Sequence, residues 1–243
     1  MSNRTYEKII DLRNIYPQLN VCKNNMDAAQ NADILFICVK PLEIKAVLLE
    51  ISGKIKNDCH IVSLNGSVLL RQIEQICENK KISKVIPGVT AEISQSVTLV
   101  CHNNYVNNND KNVLKMLLEC LGTIIEIPET EIGMGSELTS CMPGFIGAIF
   151  RVITDEAVKH TSIHKEDVIK MVVETVYGTG KLLLEKGMTF EQLIERVATK
   201  GGITEEGTKI IQTKMPNIVN ELFEKTLEKR RMTTENVQKG FDS

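Results

Sequence analysis

Residues 34–39, Ile-Leu-Phe-Ile-Cys-Val, form an unbroken apolar run that stops at Lys40-Pro41. The run is far too short to cross a membrane, and a strand that is apolar on both faces needs cover on both. That cover is supplied by helices flanking a parallel sheet. Pro41 then suits the first turn of a helix, where the N–H that proline lacks has no intrahelical partner anyway, and the spacing predicts a helix to about residue 53.

The same unit recurs along the first half. Ile9, Ile10, Leu12 and Ile15 return at helical spacing in 6–16, followed by extended 19–22 and an Ala-rich helix over 26–32. Strands are predicted at 60–64, 85–86, 96–101 and 123–127, with helices at 68–76 and 110–121. The second half has no comparable strands. Helices are predicted over 138–159, 165–186, 190–199, 205–214 and 216–229, punctuated by Gly187, Gly201-Gly202 and Met215-Pro216. The division reads as an α/β domain over 1–130, an all-α domain over 131–232 and a frayed polar tail over 233–243.

Composition narrows the function classes. The 29 basic and 31 acidic residues nearly cancel and form no long block, which points away from nucleic acid and anionic membranes and toward a small-molecule substrate. The polar start is no signal peptide, so a cytoplasmic protein is expected. Seven cysteines without a C-x-x-C pair argue against a disulfide framework or a zinc site, and they are expected to be reduced. His160 and His164 lie four apart across a turn, with no Glu to complete a metal-binding helix, so no metal is expected.

Three segments suggest a ligand site. Asn3-Arg4-Thr5 suits the end of a nucleotide-binding strand, where an arginine among small polar residues favours a 2′-phosphate, and hence NADP, over the ribose diol of NAD. On these three residues alone a merely solvated terminus is the stronger reading, and only the strands downstream lift the nucleotide one. Val39-Lys40-Pro41 and the 63–67 segment with Asn65 follow predicted parallel strands, at the edge where open α/β sheets bind ligands; they also read as ordinary strand-to-helix turns. In 199–206, Gly201 and Gly202 permit close backbone approach and Thr204 suits a helix N-cap, so free amides are expected to converge on a carboxylate or phosphate. The alternative is a plain helix-helix corner.

Taken in order, residues 2–5, 32–41, 62–64, 85–87, 143–145, 174–179 and 197–204 resemble pyrroline-5-carboxylate reductases, with particular similarity to the reductase-like proteins of bacterial late-competence operons. The resemblance spans nearly the whole chain. It implies a Rossmann-type NADP(H)-binding domain, N-terminally incomplete with its first strand and glycine loop missing, followed by an all-α dimerisation domain. Residues upstream of Met1 are expected in the natural protein. The implied assembly is a homodimer or ring of dimers, each active site drawing on both chains. The implied reaction is hydride transfer from NADPH to the C=N carbon of 1-pyrroline-5-carboxylate, giving proline. Asn3, Arg4, Thr5, Val39, Lys40, Pro41 and Asn65 then touch the cofactor. Thr204 holds the ring nitrogen, and Thr199, Gly201, Gly202 and Ile203 hold the substrate carboxylate.

Three departures stand out. The family's Ser-Gly-Ser-Gly is here Thr139-Ser140-Cys141-Met142, its Met-Pro-Asn is Ile86-Pro87-Gly88, and the proline before its double glycine is Lys200. Two other readings stay open: a non-catalytic dimeric homologue with a regulatory role, and a β-hydroxyacid dehydrogenase relative. The latter needs a lysine early in the first helix after the junction, where this chain offers Lys159 only at the far end.

Overall fold

The computed structural model describes residues 1–242, which fall into two compact units. The first unit contains residues 1–141 and the chain from Leu227 onward; the second is Met142–Thr226.

The first unit is built on a five-stranded sheet in the order β1-β2-β3-β4-β5, comprising β1 (Ile34–Ile37), β2 (His60–Ser63), β3 (Lys81–Ile86), β4 (Ser96–His102) and β5 (Gly122–Glu126). The β1–β2, β2–β3 and β4–β5 pairs are parallel and β3–β4 is antiparallel. Alternation along each strand splits the side chains between two cores. Ile37, Ile61, Ile82, Ile86, Leu99 and Cys101 face the larger one, with Ile44, Leu48 and Ile51 of α3 (Ile44–Ile51) and Ile73 of α4 (Leu70–Glu74). Val62, Val85 and Val100 face the smaller one, under Leu114 and Leu118 of α5 (Asn108–Leu118). Both faces of the sheet are thus covered, as the continuous apolar run requires.

Residues 1–5 are not a strand, although the Met1 ammonium donates to Asn20 O and Cys22 N–H donates to Met1 O, each at 2.8 Å. That is the bonding of a parallel pair centred on Val21, so the strand-like reading of this terminus survives only as a single bridge. The helices α1 (Tyr6–Ile15) and α2 (Asn25–Asn31) follow, with Ile9 and Ala29 as their buried anchors.

The predicted helix 138–159 is the shorter α7 (Met142–Ala157); an unpredicted helix, α6 (Ile132–Leu138), precedes it, and the two are separated by a break at residues 139–141. There Thr139 and Ser140 hydroxyls bond back to the Gly135 and Ser136 carbonyls, and Cys141 N–H bonds to Ser136 O. These groups offer the backbone an alternative to the helical ladder. Lys159 lies beyond the end of α7 and pairs with Glu156 at the surface.

In the second unit α7 packs on α8 (Lys165–Lys186), and α9 (Phe190–Val197) is capped by Thr189, whose hydroxyl accepts the Gln192 N–H. The last helix, α10 (Ile203–Asp242), runs straight through the expected stop at Pro216. Pro216 removes one ladder donor, leaving the Gln212 carbonyl without its usual partner, and the remaining residues carry the helix on. The tail expected to fray is the end of α10, and it belongs to the first unit. Val237 enters the larger core there, Gln72 Nε2 donates to Gln238 Oε1 at 2.8 Å, and Lys45 Nζ donates to Phe241 O at 3.1 Å. A few apolar side chains at helical spacing, not the mean polarity of the segment, decide its fate. Among the described residues no helix is long and apolar enough to cross a membrane.

Candidate functional site

β1, β2 and β3 are parallel, so their carboxyl ends share one edge of the sheet. Asn65 lies in the loop after β2. Its Nδ2 donates to Val39 O after β1 at 3.4 Å, and its Oδ1 accepts the Ser67 N–H at 3.3 Å. Glu43, in the single 3-10 turn Pro41–Glu43, accepts the Lys40 N–H at 3.4 Å and the Arg4 guanidinium at 2.9 Å. Thr5 N–H in turn bonds Asn3 Oδ1 at 3.0 Å. The three segments singled out as cofactor contacts, Asn3-Arg4-Thr5, Val39-Lys40-Pro41 and Asn65, therefore meet on this one edge.

Two further loops complete it. Gly88, after β3, donates its N–H to Ser96 Oγ at 2.9 Å. A Cβ on Gly88 would lie 3.7 Å from Ser140 Cα and 3.8 Å from Thr139 O. The departures at 86–88 and at 139–142 thus lie against each other, glycine opposite the bulkier segment.

The reading from sequence missed two residues here. Arg230 of α10 donates from Nε and Nη2 to Glu137 Oε1 at 3.3 and 2.9 Å, and from Nη2 to Cys141 Sγ at 3.6 Å. Its Nη1 sits 3.6 Å from where a Cβ on Gly66 would be, beside the loop after β2. Glu137 is 1% exposed, and its Oε2 is buried with no hydrogen-bond partner among the described residues. Arg230 escaped notice because the last helix was expected to end just before it; Val237 and Phe241, spaced i and i+4, were the signal that it continues.

The second unit corrects another expectation. Gly201 N–H donates to Glu205 Oε2 at 2.6 Å and Gly202 N–H to Thr199 O at 2.8 Å, so neither amide is free. Gly201 has φ +73°, and a Cβ on Gly202 would lie 2.8 Å from Thr199 O, so each glycine has a local reason in the turn. α10 starts at Ile203, which puts Thr204 inside the helix, not at its cap. Thr199, Gly201, Ile203 and Thr204 are exposed in the single chain, Ile203 at 95%. The Thr204 hydroxyl has no partner among the described residues.

Comparison with known proteins decides the family. Residues 129–233 match the family profile described as pyrroline-5-carboxylate reductase dimerisation, and residues 1–66 match NADP oxidoreductase coenzyme F420-dependent. Pyrroline-5-carboxylate reductase 3 of Bacillus subtilis is 38% identical over 96% of this chain and 85% of its own length. The chain belongs to the pyrroline-5-carboxylate reductase family. ComE operon protein 4 of Bacillus subtilis is 30% identical over 99% of this chain and 88% of its own length. In the fold alone, this family member matches a reductase structure from Coxiella burnetii with a TM-score of 0.84 at 24% identity, covering 97% of this chain and 87% of the other. A Plasmodium falciparum reductase solved with NADP bound matches at 0.77 and 22% identity, over 90% of this chain and 82% of the other. The Rossmann-type domain followed by an all-helical region is thus the architecture expected from the sequence.

Proposed function

We propose that this chain is an NADP(H)-dependent reductase of the C=N bond in 1-pyrroline-5-carboxylate or a similar cyclic imine acid, yielding proline or its analogue. The observation that carries the reading is the meeting of Asn3-Arg4-Thr5, Val39-Lys40-Pro41 and Asn65 at the carboxyl edge of a parallel sheet, where α/β folds take nucleotides. These residues fit such a cofactor: the Arg4 side chain is 83% exposed and able to turn from Glu43 to a 2′-phosphate, and the Val39-Lys40-Pro41 backbone offers a wall for a ribose.

The bound nicotinamide supplies the hydride; the protein supplies placement and a hydrogen bond. The Thr204 hydroxyl holds the ring nitrogen, and the proton that this nitrogen takes up comes from solvent water. Thr199, Gly201, Gly202 and Ile203 form the turn that holds the substrate carboxylate. The dimerisation profile supports a homodimer or ring of dimers, and the compartment proposed is the cytoplasm.

The test is NADPH binding by fluorescence together with NADPH oxidation in the presence of 1-pyrroline-5-carboxylate. Thr204→Ala is expected to lower kcat by about tenfold to a hundredfold, the weight of one positioned hydrogen bond, with NADPH affinity unchanged. A second reading, a non-catalytic dimeric homologue with a regulatory role, draws support from the commitment of the Gly201 and Gly202 amides within the chain. It requires a chain that dimerises but neither binds nor oxidises NADPH.

A further inference from the structure

We propose that the cavity between α5 and the ends of β4 and β5 is a second ligand site, built for an α-amino acid with an aliphatic side chain. It lies at the edge of the sheet opposite the cofactor segments, because β4 runs antiparallel to β3 and ends with His102 beside Ser83, near where β3 begins. The proposal is therefore independent of the reductase reading.

The first ground is a donor with nothing to receive its proton. His102 keeps only 5% of its side chain exposed and lines a cavity of about 490 Å³, a size typical of small-molecule sites. Burial, aided by Lys111 and opposed by Glu126, holds the imidazole below its ordinary value, so the ring is neutral and carries one N–H. Glu126 Oε2 stands 3.9 Å from Nε2, and its charge favours the tautomer with the proton there. Nδ1 then accepts from the Ser83 hydroxyl at 2.6 Å, and that hydroxyl accepts from His60 Nε2 at 2.6 Å. The chain of hydrogen bonds fixes the ring and polarises an N–H that ends at the cavity, too far from Glu126 to bond it. Buried donors are paired in folded proteins, so this one requires an acceptor from the cavity.

The second ground is the arrangement of charge. Lys111 holds Glu126 Oε1 and leaves Oε2 without a hydrogen bond among the described residues. Lys115, one turn further along α5, lines the same cavity and has no ion pair among the described residues. A cation, an N–H and a carboxylate oxygen, each without a partner, complement a zwitterion. The ligand carboxylate accepts from Lys115 and His102, and its ammonium donates to Glu126.

The third ground is the wall. Val100, Leu114 and Leu118 of the smaller core line the rest of the cavity, together with Ile124, which packs against that core. A polar side chain would lose its water there without gaining a partner, whereas an aliphatic one is simply covered.

The experiment is calorimetric titration of the full chain with L-leucine, with 4-methylpentanoate, which lacks the ammonium, and with 3-methylbutylamine, which lacks the carboxylate. L-Leucine is expected to bind about tenfold or more tightly than either, the weight of one charge-assisted hydrogen bond. K115M is expected to bring L-leucine down toward the level of the amine, and E126Q down toward the level of the acid. Lys115 is exposed and Glu126 half-exposed, so both variants are expected to fold with Tm nearly unchanged. In amide NMR spectra L-leucine is expected to shift His102, Lys111 and Lys115. The proposal is overturned if L-leucine does not bind, if the acid or the amine binds as tightly, if either variant leaves L-leucine affinity intact, or if the shifts fall at Val39 and Asn65 instead. Turnover is a separate readout: no NADPH oxidation with 1-pyrroline-5-carboxylate, alongside intact L-leucine binding, sinks the reductase alone.

Discussion

Lys84 Nζ lies 2.7 Å from Glu129 Oε1, and Lys84 is fully buried within β3. The same Glu129 oxygen accepts the Leu70 N–H at 2.8 Å, so one carboxylate ties the third strand, the start of α4 and the turn after β5. The two partners are unequal, because Glu129 keeps about a quarter of its side chain in water while Lys84 keeps almost none. Glu129→Ala strands a buried ammonium and is expected to cost about 3–5 kcal/mol, whereas Lys84→Met leaves a carboxylate that water can still reach and is expected to cost less. Denaturant titration of both variants checks the order; equal costs would refute the buried-charge account.

Gly122 opens β5 with φ +129°, and a Cβ there would lie 2.4 Å from Ser96 O and 2.6 Å from Ser96 N. Both obstacles are backbone atoms of the paired strand, so neither can swing aside. Gly122→Ala is expected to cost about 3 kcal/mol through strain and overlap. Gly180→Ala, in a helix with open space around the new methyl, is expected to gain about 0.5–1 kcal/mol. Thermal unfolding of the two variants separates a strained position from a merely permissive one.

A buried polar chain crosses the smaller-core face of the sheet. The Ser83 hydroxyl sits 2.6 Å from both His60 Nε2 and His102 Nδ1. One hydroxyl proton serves one ring, so the other ring must donate, and both can remain neutral. Burial, opposed by Asp110 and aided by His102 and Lys81, pushes His60 down to about 4; burial also lowers His102, against the pull of Glu126 and with that of Lys111. The unfolded chain takes up these protons first, near the ordinary value of 6.5, so the stability is fully present above that pH and falls as pH drops toward 4. His60 alone accounts for a loss on the order of 3 kcal/mol or less over that window. His60→Gln should flatten the pH dependence of stability between pH 4 and 6.5, and an unchanged slope would remove His60 as its source.

Much of this architecture was legible. The run 34–39 announced its strand because it is buried from both sides, and the strand-helix alternation around it followed the same logic. Arg4, Val39 and Asn65 were singled out because ligands favour the edge to which such strands point. What stayed hidden depended on contacts distant in sequence. The Glu137–Arg230 pair joins residues 93 positions apart, and nothing local marks either as buried. Glu205 stands in the first turn of α10, where an acidic residue complements the helix dipole, and nothing local marks that its carboxylate closes back on Gly201. Pro216 misled because the cost of a proline in a helix is local, whereas the packing that offsets it lies farther along, at Val237.

The Glu205–Gly201 contact has a consequence for the dynamics of the turn. A carboxylate accepting an amide at the start of α10 pins residues 199–205, and replacing it by a methyl leaves the Gly201 N–H to solvent. Glu205→Ala is expected to weaken the helix start by about 0.5–1 kcal/mol and to speed Gly201 amide exchange by about fivefold, in keeping with one lost cap. Hydrogen exchange by NMR measures it directly, and unchanged protection at Gly201 would show that another group holds that amide.

Arg4 and Glu43 are 2.9 Å apart yet largely open to water, with side chains 83% and 41% exposed. Such a pair contributes little to folding, so Arg4→Ala should leave stability within about 0.5 kcal/mol of the parent. Binding is where the loss should fall. If the guanidinium reads the 2′-phosphate, Arg4→Ala weakens NADPH by about tenfold while leaving NADH, which lacks that group, nearly unchanged. Glu43→Gln acts in the opposite sense, since it removes the carboxylate that competes for Arg4, and should tighten NADPH by a few fold. Fluorescence titration of both nucleotides against both variants gives the comparison, and a parallel loss of NADH and NADPH in Arg4→Ala would mean that Arg4 shapes the edge without touching the phosphate.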